Sequence, residues 1–324
     1  MQKRLRILFA GSPAIAVPAL EAIARRGNGE GFVLAGLLTN PDSPKGRSGR
    51  LEQTECADAL LRISAQIPVL KPEKLDGAAR AQAEALKPDI LVSFAYGKIF
   101  GPKFLALFPQ GGINAHPSLL PKYRGPTPIP AAIINREAET GLTIQRLAAE
   151  MDSGDILAQE KVPLSGRETT ASLSEAMAQK AAELLPSLLG EIARDGLQGQ
   201  PQDHGAASYC QLIEKSAGLI DWSMSAWEID ARIRAYTPWP LCWTTSRGLQ
   251  LFILKAEPID QDAQTGPASA APGKVLGKDK NKGILIQAGK GALAVSALQY
   301  QTKKALEWKV FLNGARDFLC ETLG

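Results

Sequence analysis

Arg6-Ile7-Leu8-Phe9-Ala10-Gly11 is a short apolar run that closes on a glycine, and Phe32-Val33-Leu34-Ala35-Gly36-Leu37-Leu38 is a second. Between them, residues 16–25 place Val17, Leu20 and Ile23 at near-helical spacing. A buried strand, a helix and another buried strand make one β-α-β unit, the repeating piece of a parallel sheet. The alternation continues outward. Residues 39–50 form a polar loop, and 51–64 read as a helix with Cys56, Ala59, Leu60 and Ile63 on one side. Pro68-Val69-Leu70 reads as a short strand, 77–86 as an alanine-rich helix, 89–94 as a strongly apolar strand and 112–114 as another. The expected fold class is therefore α/β, a doubly wound, mostly parallel sheet. The first turn is Gly11-Ser12-Pro13, with no Gly-x-Gly-x-x-Gly and no lysine-bearing phosphate loop. Both nucleotide signatures of such sheets are thus absent.

Residues 168–193 read as one long helix containing Pro186. The Gly-, Gln- and Pro-rich stretch 195–207 reads as a linker. Beyond it, short strand-like runs at 251–254, 273–276, 284–287 and 292–298 alternate with Gly, Lys and Asp turns. That pattern suggests a small β-barrel. The 324 residues then divide into 1–194, a linker at 195–207 and a second domain at 208–324, with 261–272 a low-complexity insert.

Hydrophobic residues make 45% of the chain and charged residues 22%, which excludes wholesale disorder. No run of 18 apolar residues is present, so a membrane helix is not expected, and the first apolar run is too short for a secretory signal. Cys56, Cys210, Cys242 and Cys320 are scattered without metal-ligand spacing and suit reduced thiols of the cytoplasm. No metal is expected. The net charge of +4 is unevenly spread. Residues 274–309 hold eight lysines against Asp279 and Glu307, a local +6 that leaves the remainder at −2. A basic stretch of this kind suits contact with phosphates.

The chain has only two histidines. His204 lies beside Gly205 in the expected linker, where a solvated role is the simpler reading. His116 lies in Ile113-Asn114-Ala115-His116-Pro117-Ser118-Leu119-Leu120-Pro121, at the end of an expected strand. Open α/β sheets bind ligands at the carboxyl ends of their strands. Residues 114 and 116 of a strand share a face, so an amide and an imidazole would enter one pocket. The plainer alternative is a turn-capping Asn and a core His. Asp152 sits in the polar turn Glu150-Met151-Asp152-Ser153-Gly154, as an imidazole partner or as an Asx-turn residue. Its distance from His116 is not readable from sequence.

Asn114-x-His116-Pro-Ser118-Leu119-Leu120-Pro121 followed by Met151-Asp152-x-Gly154-x-Ile156 resembles the folate-dependent formyltransferase family. Gly141-x-Thr143 and Ala95-Tyr96-Gly97 are similar to further motifs of that family. Arg124-Gly125-x-x-Pro128-Ile129, Asn40-Pro41-Asp42, Asp221-Trp222-Ser223 and Phe311-Leu312-Asn313-Gly314 resemble the branch whose acceptor is a charged tRNA. Ile15, Pro126-Thr127 and the short basic loop Gly46-Arg47-Ser48-Gly49-Arg50 depart from the usual pattern.

The resemblance implies a Rossmann-like catalytic domain and an OB-like barrel that binds tRNA. It implies 10-formyltetrahydrofolate as formyl donor and initiator methionyl-tRNA as acceptor, in a monomer. Asn114, His116 and Asp152 would be catalytic. Ala95, Tyr96, Gly97, Ser118, Leu119, Leu120 and Pro121 would border the folate. Lys45, Arg47, Arg50, Lys274, Lys303 and Lys304 would touch tRNA. A nucleotide-linked amino sugar is the alternative acceptor, and a binding module without catalysis a third reading.

Overall fold

The computed structural model describes residues 4–27, 29–45, 49–259 and 270–324, with only the backbone of Lys45 and Arg316. Arg47, the Lys45 side chain and most of the 261–272 insert lie outside the described residues. The chain forms two compact units. The first takes 1–128, 139–163 and 174–210, and the second takes 129–138, 164–173 and 211–324. Among the described residues no helix is long and apolar enough to cross a membrane.

The amino-terminal half runs β1 Leu5–Ala10, α1 Val17–Arg26, β2 Phe32–Leu38, β3 Ser43–Lys45, β4 Arg50–Glu52, α2 Glu55–Ile63, β5 Val69–Leu70 and α3 Gly77–Ala85. It continues as β6 Ile90–Ser93, α4 Pro102–Leu105, β7 Gly112–His116, α5 Pro128–Ile134, β8 Glu139–Arg146, β9 Ile156–Pro163 and α6 Thr170–Asp195. Seven strands form one sheet in the order β5-β2-β1-β6-β7-β8-β9. Pairing is parallel from β5 to β7 and antiparallel at β8 and β9. The central strands are apolar because helices cover both faces, as parallel sheets require. Ile7, Leu8, Phe9, Leu91 and Val92 are fully buried, and each such side chain contributes about 1.5–3 kcal/mol by leaving water.

Strands β8 and β9 are not among the elements expected from sequence, and three further features of this half depart from the expectation. The polar loop 39–50 holds β3 and the first residue of β4, which pair antiparallel. The helix expected from 51 starts at Glu55, because the Thr54 side chain caps it by accepting from the Ala57 N–H at 3.3 Å. The second half of the expected linker is bonded into the first unit: Gln200 exchanges both backbone hydrogen bonds with Ile156, at 2.8 Å each.

The second unit contains α7 Ala226–Ala235, β10 Cys242–Ser246, β11 Leu249–Ile259, β12 Val275–Asp279, β13 Gly283–Gln287, β14 Ala292–Tyr300, β15 Leu306–Glu307 and α8 Trp308–Gly314. Its antiparallel sheet has the order β10-β11-β14-β13-β12, with β15 on β14. The chain end then bridges the two edges. Val275 N–H donates to Glu321 O at 3.0 Å and Leu323 N–H to Gly273 O at 2.9 Å beside β12. Gly324 N–H donates to Thr245 O at 3.3 Å on β10. This closure gives the sheet its barrel character. Helix α7, which the sequence reading omitted, holds the 164–173 segment: Arg234 Nη1 donates to Glu168 O at 2.9 Å and Thr170 Oγ1 to Ala235 O at 2.5 Å.

Candidate active site

Strands β6 and β7 end side by side, with Ser93 opposite Asn114. Past β6, Ala95 and Gly97 are exposed and left-handed, at φ +51° and +84°. The Asn40 amide, at the end of β2, steadies this turn by donating to Tyr96 O at 3.0 Å. Past β7, Thr143 organises residues 118–121 from the neighbouring strand. Its hydroxyl donates to Ser118 O at 2.6 Å and accepts from Leu120 N–H at 3.2 Å and Gln159 Nε2 at 2.9 Å. Ser118 is fully buried and donates to Lys122 O at 2.6 Å. Leu120 is buried as well. Of this expected folate-bordering segment, only Leu119 and Pro121 reach the surface with their side chains, and the Tyr96 side chain likewise points inward.

Strand β7 delivers Asn114 and His116 to one face. His116 is 4% exposed, and Asn114 is half-buried with no hydrogen-bond partner for its side-chain amide among the described residues. His116 Nε2 lies 2.9 Å from Tyr123 O. A carbonyl only accepts, so Nε2 carries the proton and the neutral ring presents a bare Nδ1. Nδ1 faces Asp152 Oδ2 at 3.6 Å. The structure thus joins His116 and Asp152, which sequence alone did not. Burial holds the imidazole pKa below its ordinary value, although the Asp152 charge and the Tyr123 carbonyl act the other way.

Asp152 adopts φ +53°, in the left-handed region. Its Oδ2 accepts from Gly125 N–H at 2.9 Å and its Oδ1 from Gln145 Nε2 at 2.8 Å. Gly125 has φ +114°, and a Cβ there would strike Cys210 O, so only glycine lets this N–H reach the carboxylate. Gln145 lies opposite Asn114 on β8, where the β8–β9 register slips. A bulge at such a place re-aims side chains. Gln145, Thr143 and Gln159 were not foreseen as site residues. Amides and hydroxyls carry no titration or ligand-spacing signal, and only the Gly141-x-Thr143 motif marked this strand.

The expected tRNA contacts fall on separate elements. Arg50 is exposed on β4. Lys303 and Lys304 are exposed in the turn between β14 and β15, whereas Lys274 Nζ is engaged by Cys320 O at 2.6 Å. Lys278, Lys280 and Lys290 are also exposed and, like Lys303 and Lys304, have no acidic partner among the described residues.

The sequence model of the formyl transferase family matches residues 3–189, and that of the formyl transferase C-terminal domain matches 212–316. The methionyl-tRNA formyltransferase of Treponema denticola is 48% identical over 97% of this chain and 98% of its own. That of a Roseiflexus species is 40% identical over 99% of this chain and 95% of its own. Among solved structures, the sugar 3N-formyl transferase WlaRD superposes with a TM-score of 0.65 at 18% identity, over 93% of this chain and 99% of that one. HypX from Aquifex aeolicus in complex with tetrahydrofolic acid superposes at 0.63 and 17% identity, over 98% of this chain and 48% of that one. The two superpositions share the fold, and the two family matches together span most of the chain. This protein belongs to the formyl transferase family.

Proposed function

We propose that the protein transfers the formyl group of 10-formyltetrahydrofolate to the α-amine of initiator methionyl-tRNA, giving N-formylmethionyl-tRNA for translation initiation. The carrying observation is the seating of a free Asn114 amide beside His116 and Asp152 at the ends of adjacent strands. Full-length relatives named for methionyl-tRNA favour this acceptor over an amino sugar. The reaction belongs to the cytoplasm, and a monomer suffices because all three groups come from one chain.

The residues present fit a folate. A Cβ added at Gly97 would meet nothing within 4 Å, so the exposed backbone there admits a flat ring. Leu119 and Pro121 add apolar surface at the next strand end, a usual pocket make-up. When bound, the folate supplies an activated formyl group. The Asn114 amide is placed to donate to the formyl oxygen as negative charge develops, an interaction typically worth about 2.7–4 kcal/mol. The neutral His116 ring has no N–H to spare, because Nε2–H is held by Tyr123. Nδ1 would receive the proton lost by the attacking amine and return it to the departing folate nitrogen, with Asp152 stabilising the intervening imidazolium. The exposed Lys303 and Lys304, with Lys45, Arg47, Arg50 and Lys274, are assigned to phosphates of the tRNA.

The test is formylation of charged initiator tRNA by the purified protein with 10-formyltetrahydrofolate, read as N-formylmethionine released from the tRNA. Failure with methionyl-tRNA but transfer to a nucleotide-linked amino sugar would reverse the choice of acceptor.

A further inference from the structure

The two family matches leave residues 190–211 uncovered, and from Gln200 on this stretch is bonded to Ile156, to residues 121–124 and to the 152–154 turn. Arg124 N–H donates to Ser208 O at 2.8 Å, Tyr123 N–H to Ser208 Oγ at 2.9 Å, and Cys210 N–H to Arg124 O at 2.8 Å. Within it, Gln202 is 6% exposed. Its Oε1 accepts from Arg124 Nη2 at 2.6 Å and Nε at 3.2 Å. Its Nε2 donates to Gly154 O at 2.7 Å and Asp152 O at 2.9 Å, and lies 3.3 Å from Gln145 Oε1.

These contacts set a sequence of polarities. A guanidinium only donates, so Gln202 turns its oxygen to Arg124 and its NH2 to the 152–154 turn. A carboxylate only accepts, so Gln145 turns its NH2 to Asp152 Oδ1 and its oxygen to Gln202 Nε2, which shares with it one of the two hydrogens directed at the 152–154 carbonyls. With Oδ1 held there and Oδ2 on Gly125 N–H, the carboxylate has one orientation, toward His116 Nδ1. Arg124 is 2% exposed and its guanidinium makes no ion pair among the described residues; its further neighbours are His204 Nδ1 at 3.1 Å and the Tyr209 hydroxyl at 3.4 Å. Burying a guanidinium without an acid is a costly way to fasten a loop, and an apolar side chain would do it better. The left-handed Asp152 also needs surroundings that hold it in place.

We propose that Gln202 is a positioning residue of the transfer site, which fixes the Asp152 turn and, through Gln145, aims the carboxylate at His116. The proposal rests on the reading of Asp152 and His116 given above. The experiment compares Gln202→Glu, Gln202→Met and, as a control, the exposed Gln198→Ala with the wild-type chain. Gln202→Glu keeps an acceptor for Arg124, and so the fold, but sets a carboxylate against two carbonyls. We expect kcat per folate-binding site to fall by about 10²-fold in both Gln202 variants, with both KM values within about threefold of wild type. We expect the His116 imidazole signal in NMR titration of Gln202→Met to move to lower pH relative to the wild-type chain and to Gln198→Ala, because its carboxylate partner retreats. Gln198→Ala should match wild type. Near-normal kcat in both Gln202 variants, or activity lost only in step with folate-binding sites and an unmoved His116 titration, would overturn the proposal. A wild-type chain that formylates no methionyl-tRNA would count against the acceptor assignment instead, and the His116 titration would still decide the role of Gln202.

Discussion

Tyr96 carries its hydroxyl into an apolar cluster with Leu8, Leu38, Leu91, Phe104 and Phe108, where it has no hydrogen-bond partner. Burial pushes its pKa up to about 12. An unpaired buried hydroxyl costs roughly 1–3 kcal/mol. Tyr96→Phe should therefore leave the protein as stable or up to about 1 kcal/mol more stable in urea unfolding, with folate affinity unchanged. At Asp152 the backbone is the constraint. Asn tolerates the left-handed region at least as well as Asp, so Asp152→Asn should still fold, with a stability loss of about 1–3 kcal/mol because its NH2 replaces one of two accepting oxygens. It should lose about 10²-fold or more in kcat, because the imidazolium loses its counter-charge. Single-turnover rates beside a thermal melt separate the two effects. His116 gives a pH signature. Its folded pKa lies below the ordinary value of about 6.5, so above that pH neither state binds the proton and nothing is lost. Below it the unfolded chain takes up a proton that the folded chain refuses, and stability falls with pH until the folded pKa is reached. Urea unfolding at pH 7.5, 6 and 5 should show a smaller acid loss for His116→Gln than for wild type. Strand alternation made the Asn114 and His116 pair legible in the sequence. Asp152 was legible as a candidate but not as a neighbour, because contact across the sheet end depends on how β8 and β9 return.

At the scale of elements, α7 illustrates a signal present but unused. Ser225-x-x-Glu228 is a capping box: Glu228 N–H donates to Ser225 Oγ at 3.3 Å, and Ser225 N–H donates to Glu228 Oε2 at 2.9 Å. Ser225→Ala should destabilise the protein by about 1 kcal/mol in urea unfolding, without changing folate affinity. The apolar strands β1, β2 and β6 were legible because burial on both faces leaves one reading of such runs. The hairpin β3–β4 was not, since its strands are three residues long, its one large apolar side chain, Leu51, is exposed, and only pairing defines it. The stretch 195–207 was misread for a related reason. Gly, Gln and Pro suggest solvent, yet composition records polarity and not whether the partner is water or a buried guanidinium.

For the whole molecule, the sequence division by charge survives in the exposed lysines of the second unit. Lys303→Glu with Lys304→Glu should weaken tRNA binding and reduce the log–log salt slope in magnitude by at least roughly 1.4–1.8, as expected for two lost phosphate contacts. Fluorescence titration over a salt series checks this, with folate affinity as the control. The boundary between the units matters as much as their charge. Unit one ends at Cys210, and the bonds from Ser208 and Cys210 to residues 121–124 belong to it. The placement of residues 195–210 therefore dictates where such enzymes can be recombined. A chimera that joins the first unit to a relative's second unit at residue 195 would import a stranger's clamp beneath Asp152, whereas a splice at 211 would carry the native one along. Libraries of exchanged carboxy-terminal segments should be built on the second junction.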